Sequence, residues 1–409
     1  MARLDRFLWA ACGMTGRAFV QGLYFLLLAW ALGPAELGRL AVFTAITTTL
    51  APLAGMGCAE LLLRNTARDR SALGHAYAHC RGIIPVSGLA VALVALAPGR
   101  LILDLARDWP ALLLLLAVDV VVLRYLEVLL AMTQALEEFK VNAGIAMAAS
   151  FAKLAGIAAL VALPVPRTVA SWSVVQLLAL APATALLAGW CRRTYLPGPV
   201  AARIDPALVR EGALFALGVS ANGAYRDLDK PFLARAAGSA QLGLYATACR
   251  LLDVAYIPLR AMLYVILPHL FRSPRQGRRG RETGAFLAAS VLVALGAFLA
   301  YQAALAVLPA VLGARFRGIA PMGWILGLML FGRSLLNYGA ALVLTGQGVK
   351  YTCGVQVLAA AATLGLCWAL IPRGGWPAAA WISVGTDFLF AGAYLVIHIR
   401  GRRALAEPT

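Results

Sequence analysis

Charged residues are scarce in this sequence, and acidic residues are the scarcest of them. Only 13% of the 409 residues are charged, with 18 acidic side chains against 36 basic ones, while 62% are hydrophobic. A soluble globular protein of this length needs more polar surface than that. The mean hydropathy of +0.81 agrees. The composition therefore excludes a soluble globule and predicts an integral membrane protein.

Common enzyme motifs are also missing. The sequence contains no Walker-type phosphate loop, no G-x-S-x-G and no H-E-x-x-H. ATP-driven transport within this chain and hydrolase chemistry are both unsupported as a result. The loops between apolar stretches are short, so no soluble catalytic domain is expected. We predict a transporter rather than an enzyme, without a cofactor.

Few residues have the spacing expected of metal ligands or of paired cysteines. The seven cysteines include no C-x-x-C pair and lie mostly in apolar stretches, where cysteine behaves as a small core residue. His75 and His79 are one helical turn apart, with Cys80 following. That pair has no plausible third ligand nearby, and a solvated helix end explains it. We predict no metal site.

Most of the sequence consists of long apolar stretches. A helix of roughly 20 residues crosses the hydrocarbon core of about 30 Å. Twelve stretches of suitable length can be read in the sequence. They are residues 8–32, 38–63, 77–97, 111–132, 141–163, 169–191, 211–235, 242–271, 284–308, 320–345, 352–371 and 377–399.

Along the chain, loops rich in lysine and arginine alternate with loops that contain few of them. Because cationic loops stay in the cytoplasm, the pattern predicts that both termini are cytoplasmic. The run of arginines between Arg272 and Arg281 then lies against the anionic inner leaflet. The net charge of +18 is thereby explained by membrane topology. No interleaved aromatic pattern accompanies it, so nucleic-acid binding is not expected.

A short sequence occurs twice, half a chain apart. Residues 33–38 (G-P-A-E-L-G) return as residues 238–243 (G-S-A-Q-L-G), and the flanking segments 29–43 and 234–248 are identical at seven of fifteen positions. Each copy lies between two apolar stretches. We interpret the repeat as one helix–turn–helix unit built twice by internal duplication.

The duplication predicts two lobes of six helices. The boundary lies in residues 192–210, where Pro197-Gly198-Pro199 and Asp205-Pro206 cannot continue a helix. Residues 1–191 form the N-terminal lobe, 192–210 a cytoplasmic linker, 211–400 the C-terminal lobe and 401–409 a cytoplasmic tail. The predicted fold is an all-α polytopic membrane protein with about twelve transmembrane helices in two pseudo-symmetric lobes, and substrate sites in such transporters lie between the lobes.

Ionisable residues within the predicted spans cost about 3 kcal/mol each or more, so they usually face a partner or a water-filled cavity. Basic ones outnumber acidic ones. A basic cleft suits an anionic substrate such as a phosphate or pyrophosphate, whose oxygens accept bidentate guanidinium bonds. The basic residues are Arg17, Arg124, Lys153, Arg226, Lys230, Arg250, Arg260 and Arg333, and the acidic ones are Asp119, Glu127, Asp227, Asp229, Asp253 and Asp387.

Two amides extend this predicted cationic site. Gln21 follows Arg17 by one turn, and Asn337 follows Arg333 by one turn, so each helix offers a charge and an amide on one face. The alternative for any single residue of the set is an interhelical hydrogen bond that only holds the bundle together.

Some of these charges have local partners at helical spacing. Structural ion pairing and substrate contact both remain open for them. The pairs are Arg124 with Glu127, Arg250 with Asp253 and Asp227 with Lys230, each three residues apart, and Glu60 with Arg64, four apart.

Two aspartates could couple transport to an ion. Asp119 and Asp387 lie within predicted spans, and Asp387 is remote in sequence from any cation. Asp387 is either a proton or sodium site or the partner of Arg333.

Several of these segments resemble one family. The stretch from Arg17 to Gln21 with the turn L-G-P-A-E-L-G at 32–38, and the later L-G-L-Y-A at 242–246 with P-H-L-F at 268–271, resemble the Wzx-type polysaccharide flippases. That family belongs to the multidrug/oligosaccharidyl-lipid/polysaccharide (MOP) exporter superfamily. The resemblance implies a MATE-like bundle whose two lobes alternate between inward-open and outward-open states, with basic residues in a central cavity.

The resemblance also implies a substrate and a location. The substrate would be an undecaprenyl-diphosphate-linked oligosaccharide, moved from the inner to the outer leaflet of the bacterial inner membrane for surface polysaccharide, O-antigen or exopolysaccharide synthesis. The expected partners are this lipid, the phospholipid membrane and other glycan-assembly membrane proteins, with the chain itself monomeric. The alternatives are a cation-coupled MATE-like exporter of small molecules and a noncatalytic component of a glycan-export complex.

Overall fold

The computed structural model describes the backbone of residues 2–102, 105–196, 198–262, 276–346 and 349–404. Side chains are described for residues 20–95, 109–196, 198–262, 288–343 and 354–399. All regular secondary structure within these ranges is helical. The chain packs into two compact units, residues 1–227 and 228–409.

The first unit contains eight α-helices. A 3-10 turn at Ala51–Leu53 follows α1, another at Arg70–Ala72 precedes α3, and a π-helical segment at Ala117–Val122 joins α4 to α5. The helices are α1 (Ala2–Leu50), α2 (Cys58–Arg68), α3 (Leu73–Ile102), α4 (Leu105–Leu116), α5 (Leu123–Ala135), α6 (Phe139–Ala162), α7 (Val169–Tyr195) and α8 (Pro206–Asp227).

The second unit is built in the same way from helices. A 3-10 segment at Ala314–Ile319 interrupts its middle part. The helices that the structure describes there are α9 (Asp229–Ala255), α10 (Gln276–Leu312), α11 (Ala320–Gly327), α12 (Met329–Gly346) and α13 (Val349–Ala404). The most extensive packing in this unit is between α12 and α13 and between α9 and α13.

Eight helical stretches of the described residues are long and apolar enough to cross a membrane. Three of them exceed one crossing: Val20–Leu53 has 34 residues, Pro206–Met262 has 57 and Gly354–Ile399 has 46. At 1.5 Å per residue even the shortest of the three extends about 50 Å, against roughly 30 Å of hydrocarbon. The all-α membrane fold is confirmed, and the count of twelve spans stays a prediction consistent with these lengths.

Glycines divide the longest helices. Gly33 in α1 has φ 73° and ψ 172°, and Gly238 in α9 has φ 79° and ψ 165°. This backbone region is accessible essentially only to glycine. The two glycines are equivalent positions of the sequence repeat, so the predicted turn was built twice with nearly the same backbone geometry. Gly375 divides α13 in a related way, with φ 55°.

Glu36 ties the first turn to a neighbouring helix. Its Oε2 accepts a 2.8 Å hydrogen bond from the backbone N–H of Val169, the first residue of α7, and its Oε1 accepts a 2.9 Å bond from Arg39. The first N–H groups of a helix have no partner within the helix, and a carboxylate there also favours the helix dipole. The second copy of the repeat has the exposed Gln241 at this position.

The second predicted span is broken in the middle. After Ala51–Leu53 the chain turns through Gly55, Met56 and Gly57, which have φ values of 84°, 46° and 66°, and α2 then begins at Cys58. Helix α8 crosses this break closely. A Cβ atom placed on Gly212 would lie 1.9 Å from the carbonyl oxygen of Met56, so only glycine allows the approach.

The segment before α8 is held against α3 by side-chain and backbone contacts. The N–H of Asp205 donates to Nδ1 of His79 at 3.1 Å, Oδ2 of Asp205 lies 3.0 Å from Nε2 of His75, and the N–H of Arg203 donates to the carbonyl of Ala78 at 3.0 Å. The hydrogen bond with His75 lowers the pKa of the Asp205 carboxyl below its ordinary value. The two histidines that resemble a metal pair in sequence therefore hold the linker.

The observed division of the chain differs from the predicted one by a helix. The predicted C-terminal lobe begins at residue 211, whereas α8 packs on α1, α2 and the turn at Ala51–Leu53 within the first unit. The physical reason lies in contacts that span about 150 residues of sequence, including the bidentate pair of Arg64 with Glu211, whose Nη2–Oε2 distance is 2.9 Å. The predicted boundary rested on the internal repeat and on the helix-breaking residues and arginines of residues 192–210, none of which reports these contacts.

We expect Gly212→Ala to destabilise the first unit by about 1–3 kcal/mol, because the added methyl group would force α8 away from Met56. The measurement is the apparent melting temperature of purified protein in detergent. Gly144→Ala is the matched control, because a Cβ at Gly144 meets nothing within 4 Å. Equal melting temperatures for the two variants would contradict the close crossing.

We expect Glu36→Gln to cost about 1 kcal/mol of stability, because it weakens the acceptor for Val169 and removes the charge that Arg39 and the α7 terminus attract. Thermal unfolding in detergent measures the loss. Gln241→Ala, at the equivalent position of the repeat, should leave the melting temperature unchanged. A similar loss in both variants would show that the anchoring role is not specific to the first turn.

Candidate functional site

Arg333 connects three helices in the second unit. From α12, its Nη1 lies 2.9 Å from Oδ1 of Asp253 on α9, and its Nε lies 3.5 Å from Oδ2 of Asp387 on α13. The Arg333 side chain is 13% exposed and that of Asp387 only 1%. A buried charge is tolerated when it is paired. Asp387 is therefore the partner of Arg333, which was one of the two alternatives from sequence.

Asn337 and Tyr256 form hydrogen bonds with the backbone carbonyl of Arg333. The Asn337 amide donates to the hydroxyl of Tyr256 at 2.6 Å and to the carbonyl oxygen of Arg333 at 2.9 Å. The Tyr256 hydroxyl also donates to the same carbonyl at 3.4 Å. Asn337, a predicted substrate ligand, thus has its amide engaged in fixing α12 against α9.

A second ionic group lies at the start of α9. Asp229 is buried, and its Oδ2 accepts a 2.6 Å hydrogen bond from the hydroxyl of Tyr245, one of the largest fully buried side chains. Nζ of Lys230 lies 3.7 Å from the other oxygen of Asp229. Sequence reasoning did not single out Tyr245 as a polar partner, because a tyrosine in an apolar stretch gives no sign of where its hydroxyl points.

These contacts change the predicted charge balance of the second unit. The two ionic groups contain three carboxylates, Asp229, Asp253 and Asp387, and two cations, Lys230 and Arg333. These two groups thus contain one more carboxylate than cation. Lys230 and Arg333, predicted as ligands for an anion, already have carboxylate neighbours.

Arg250 on α9 and Arg260, just beyond its end, are exposed cations. Cζ of Arg260 lies 5.6 Å from the ring centroid of Tyr256. Among the described residues Arg250 has no ion pair, and Asp253, its predicted local partner, binds Arg333 instead. Arg333, on another helix, binds Asp253 in place of Arg250. Spacing along one helix does not reveal such a partner.

In the first unit, Arg124 and Glu127 form the local pair that their spacing predicts. Nη2 of Arg124 lies 2.6 Å from Oε1 of Glu127 on α5. Asp119, one turn earlier, lies in the π-helical segment and accepts a hydrogen bond from Thr47 of α1. Such π-helical turns are rare and frequently occur at functional sites.

The other predicted residues of the first unit that the structure describes are distributed over three helices. Gln21 is exposed on α1, Lys153 is half-buried on α6 and Arg226 is exposed at the end of α8. The side chain of Arg17 lies outside the described residues. The cationic site therefore stays a prediction.

Glu60 and Arg64 do not form their predicted pair. Arg64 instead makes a bidentate ion pair with Glu211 of α8. The planar guanidinium fits both oxygens of a carboxylate that faces it squarely. Residue spacing along one helix cannot predict a partner that lies so far away in the sequence.

A family comparison matches most of the chain. The model of the family described as polysaccharide biosynthesis protein matches residues 4–273. No curated protein matches the sequence.

Solved structures with this fold are transporters. An inward-facing multidrug resistance MATE family transporter of the MOP superfamily is 15% identical with a TM-score of 0.69, covering 97% of this chain and 98% of that one. An outward-facing structure of such a transporter is 16% identical with a TM-score of 0.62, covering 98% and 95%. The MATE multidrug transporter DinF-BH in complex with R6G is 15% identical with a TM-score of 0.65, again covering 98% and 95%. These similarities establish the MATE-like fold.

We expect Arg333→Ala to destabilise the second unit by about 3–5 kcal/mol, because it leaves two carboxylates without the cation between them. The apparent melting temperature in detergent should fall, and Asp387→Asn added to Arg333→Ala should restore part of the loss. Arg317→Ala, at an exposed position of the same unit, is the control. A melting temperature unchanged by Arg333→Ala would mean that this arginine does not stabilise the bundle.

Proposed function

The chain belongs to the polysaccharide biosynthesis protein family, and we propose that it is a membrane transporter of the MOP superfamily that flips an undecaprenyl-diphosphate-linked oligosaccharide. The lipid-linked sugar would pass from the cytoplasmic to the periplasmic leaflet of a bacterial inner membrane. The observation that carries the proposal is the family match over residues 4–273. The energy source would be an ion gradient or the substrate gradient itself.

The exposed arginines of α9 suit the diphosphate of such a substrate. Arg250 and Arg260 are both exposed and are separated by ten residues, roughly 15 Å along a helix. Since neither has a carboxylate partner among the described residues, their guanidinium groups keep hydrogen-bond donors for phosphate oxygens. Arg333 takes a structural role in this proposal because its charge is balanced by Asp253 and Asp387.

A cation-coupled exporter of small molecules is the second candidate. The buried Asp229 and Asp387 favour it, because buried carboxylates attract cationic drugs or coupling ions. The MATE-like fold is equally compatible with both functions. Transport assays with the two substrate classes separate them.

The experiment reconstitutes the full chain in liposomes and follows a fluorescent undecaprenyl-diphosphate-linked oligosaccharide between leaflets. We expect Arg250→Ala and Arg260→Ala each to slow transfer about tenfold or more, since a hydrogen bond to a charged group contributes roughly 1.5–3 kcal/mol. Arg235→Ala, an exposed arginine on the same helix, should transfer at the wild-type rate.

A parallel assay measures efflux of a cationic dye from the same liposomes under a proton or sodium gradient. Dye efflux without lipid-linked sugar transfer would overturn the flippase proposal in favour of the exporter. Wild-type transfer rates in both Arg250→Ala and Arg260→Ala would remove these arginines from the site.

A further inference from the structure

A cavity opens in the first unit beside the break between α1 and α2. It is an open cleft: the space between its walls, together with the solvent at its mouth, is about 350 Å³. Two kinds of wall line it. One wall is charged and consists of Glu60, Arg124 and Glu127, and the other is apolar and includes Phe215 and Val219 of α8.

Glu60 is the carboxylate of this cavity for which the described residues provide no partner. Arg64, its neighbour one turn along α2, is held by both oxygens of Glu211, and Arg124 is paired with Glu127. Among the described residues Glu60 makes no hydrogen bond or ion pair. The three charged side chains of the cavity therefore carry one uncompensated negative charge.

The start of α2 stabilises that charge. Glu60 lies in the first turn of the helix, and the N-cap residue Gly57 provides no side-chain hydrogen bond. The positive end of the helix dipole favours a carboxylate at this position. The break at Gly55–Gly57, which the close crossing by Gly212 maintains, thus places an ionised group in the cavity wall.

We propose that this cavity binds one sugar unit of the transported glycan and discriminates against acidic sugars. The proposal rests on the flippase function. Carboxylate and guanidinium groups bind sugar hydroxyls, while the exposed ring of Phe215, 48% accessible, offers a flat apolar surface to the sugar ring. Pockets of this composition, apolar with a few placed polar groups, are typical of small-ligand sites.

The charge of Glu60 decides which sugars fit. A uronic acid would place its carboxylate near that of Glu60, and repulsion between like charges about 5 Å apart near a protein surface changes affinity by more than tenfold. A phosphate in this cavity would meet the same repulsion. The diphosphate of the carrier is instead assigned to the arginines of α9.

The test compares two lipid-linked disaccharides that differ only at the C6 carbon, one ending in glucose and the other in glucuronic acid. Both binding to the purified full chain and transfer between liposome leaflets are measured. We expect wild-type protein to prefer the neutral sugar at least about tenfold. Glu60→Gln should reduce that preference below about threefold, because it increases binding and transfer of the acidic sugar. Glu60→Asp, which keeps the charge, should retain the preference.

Glu138→Gln is the matched control because it removes an exposed carboxylate outside the cavity, and its preference should equal that of wild type. Equal handling of both sugars by wild type, or an unchanged preference in Glu60→Gln, would overturn the proposal. A neutral-sugar preference in binding without transfer would overturn the flippase function and leave the sugar site standing. Melting temperatures confirm that each variant is folded.

Discussion

Pairing of buried charges is the constraint on which the rest of this structure depends. In a membrane-spanning bundle, an ionised side chain without a partner costs several kcal/mol. The second unit meets this cost by placing Arg333 of α12 between Asp253 and Asp387. Because these residues lie on α9, α12 and α13, the same contacts that neutralise the charges also hold the three helices together. Arg250, Arg260 and Glu60, by contrast, have no ion pair among the described residues, and we propose that they contact the substrate.

Glycine provides the second constraint, since it shapes the helices that carry those charges. Gly33 and Gly238 turn the chain at equivalent points of the repeat, with a backbone geometry that other residues avoid. Gly57 and Gly212 let a broken helix and α8 touch backbone to backbone. The first pair is a relic of duplication common to both units, whereas the second creates the cavity of the first unit. Glu36, which anchors α7, and the exposed Gln241 show that the two copies were later adapted separately.

Much of the fold could be predicted from the residues because hydropathy and glycine turns act locally. The all-α membrane class, the duplicated turn and the pair of Arg124 with Glu127 all depend on neighbours within one or two turns, and all are confirmed. The partners of Arg64 and Asp253 lay beyond this local reasoning. Each has a candidate partner three or four residues away, yet each binds a residue from another helix.

The sequence by itself determined that this is a helical membrane protein of duplicated design with more basic than acidic residues in its predicted spans, because composition and repeats do not depend on how the helices pack. Only the tertiary structure decided which of those charges are used. It assigned Arg333 and Lys230 to carboxylates, left Arg250 and Arg260 exposed, and separated Glu60 from Arg64. The physical reason is that an ion pair depends on the distance and angle between side chains, and helices that are far apart in sequence set both.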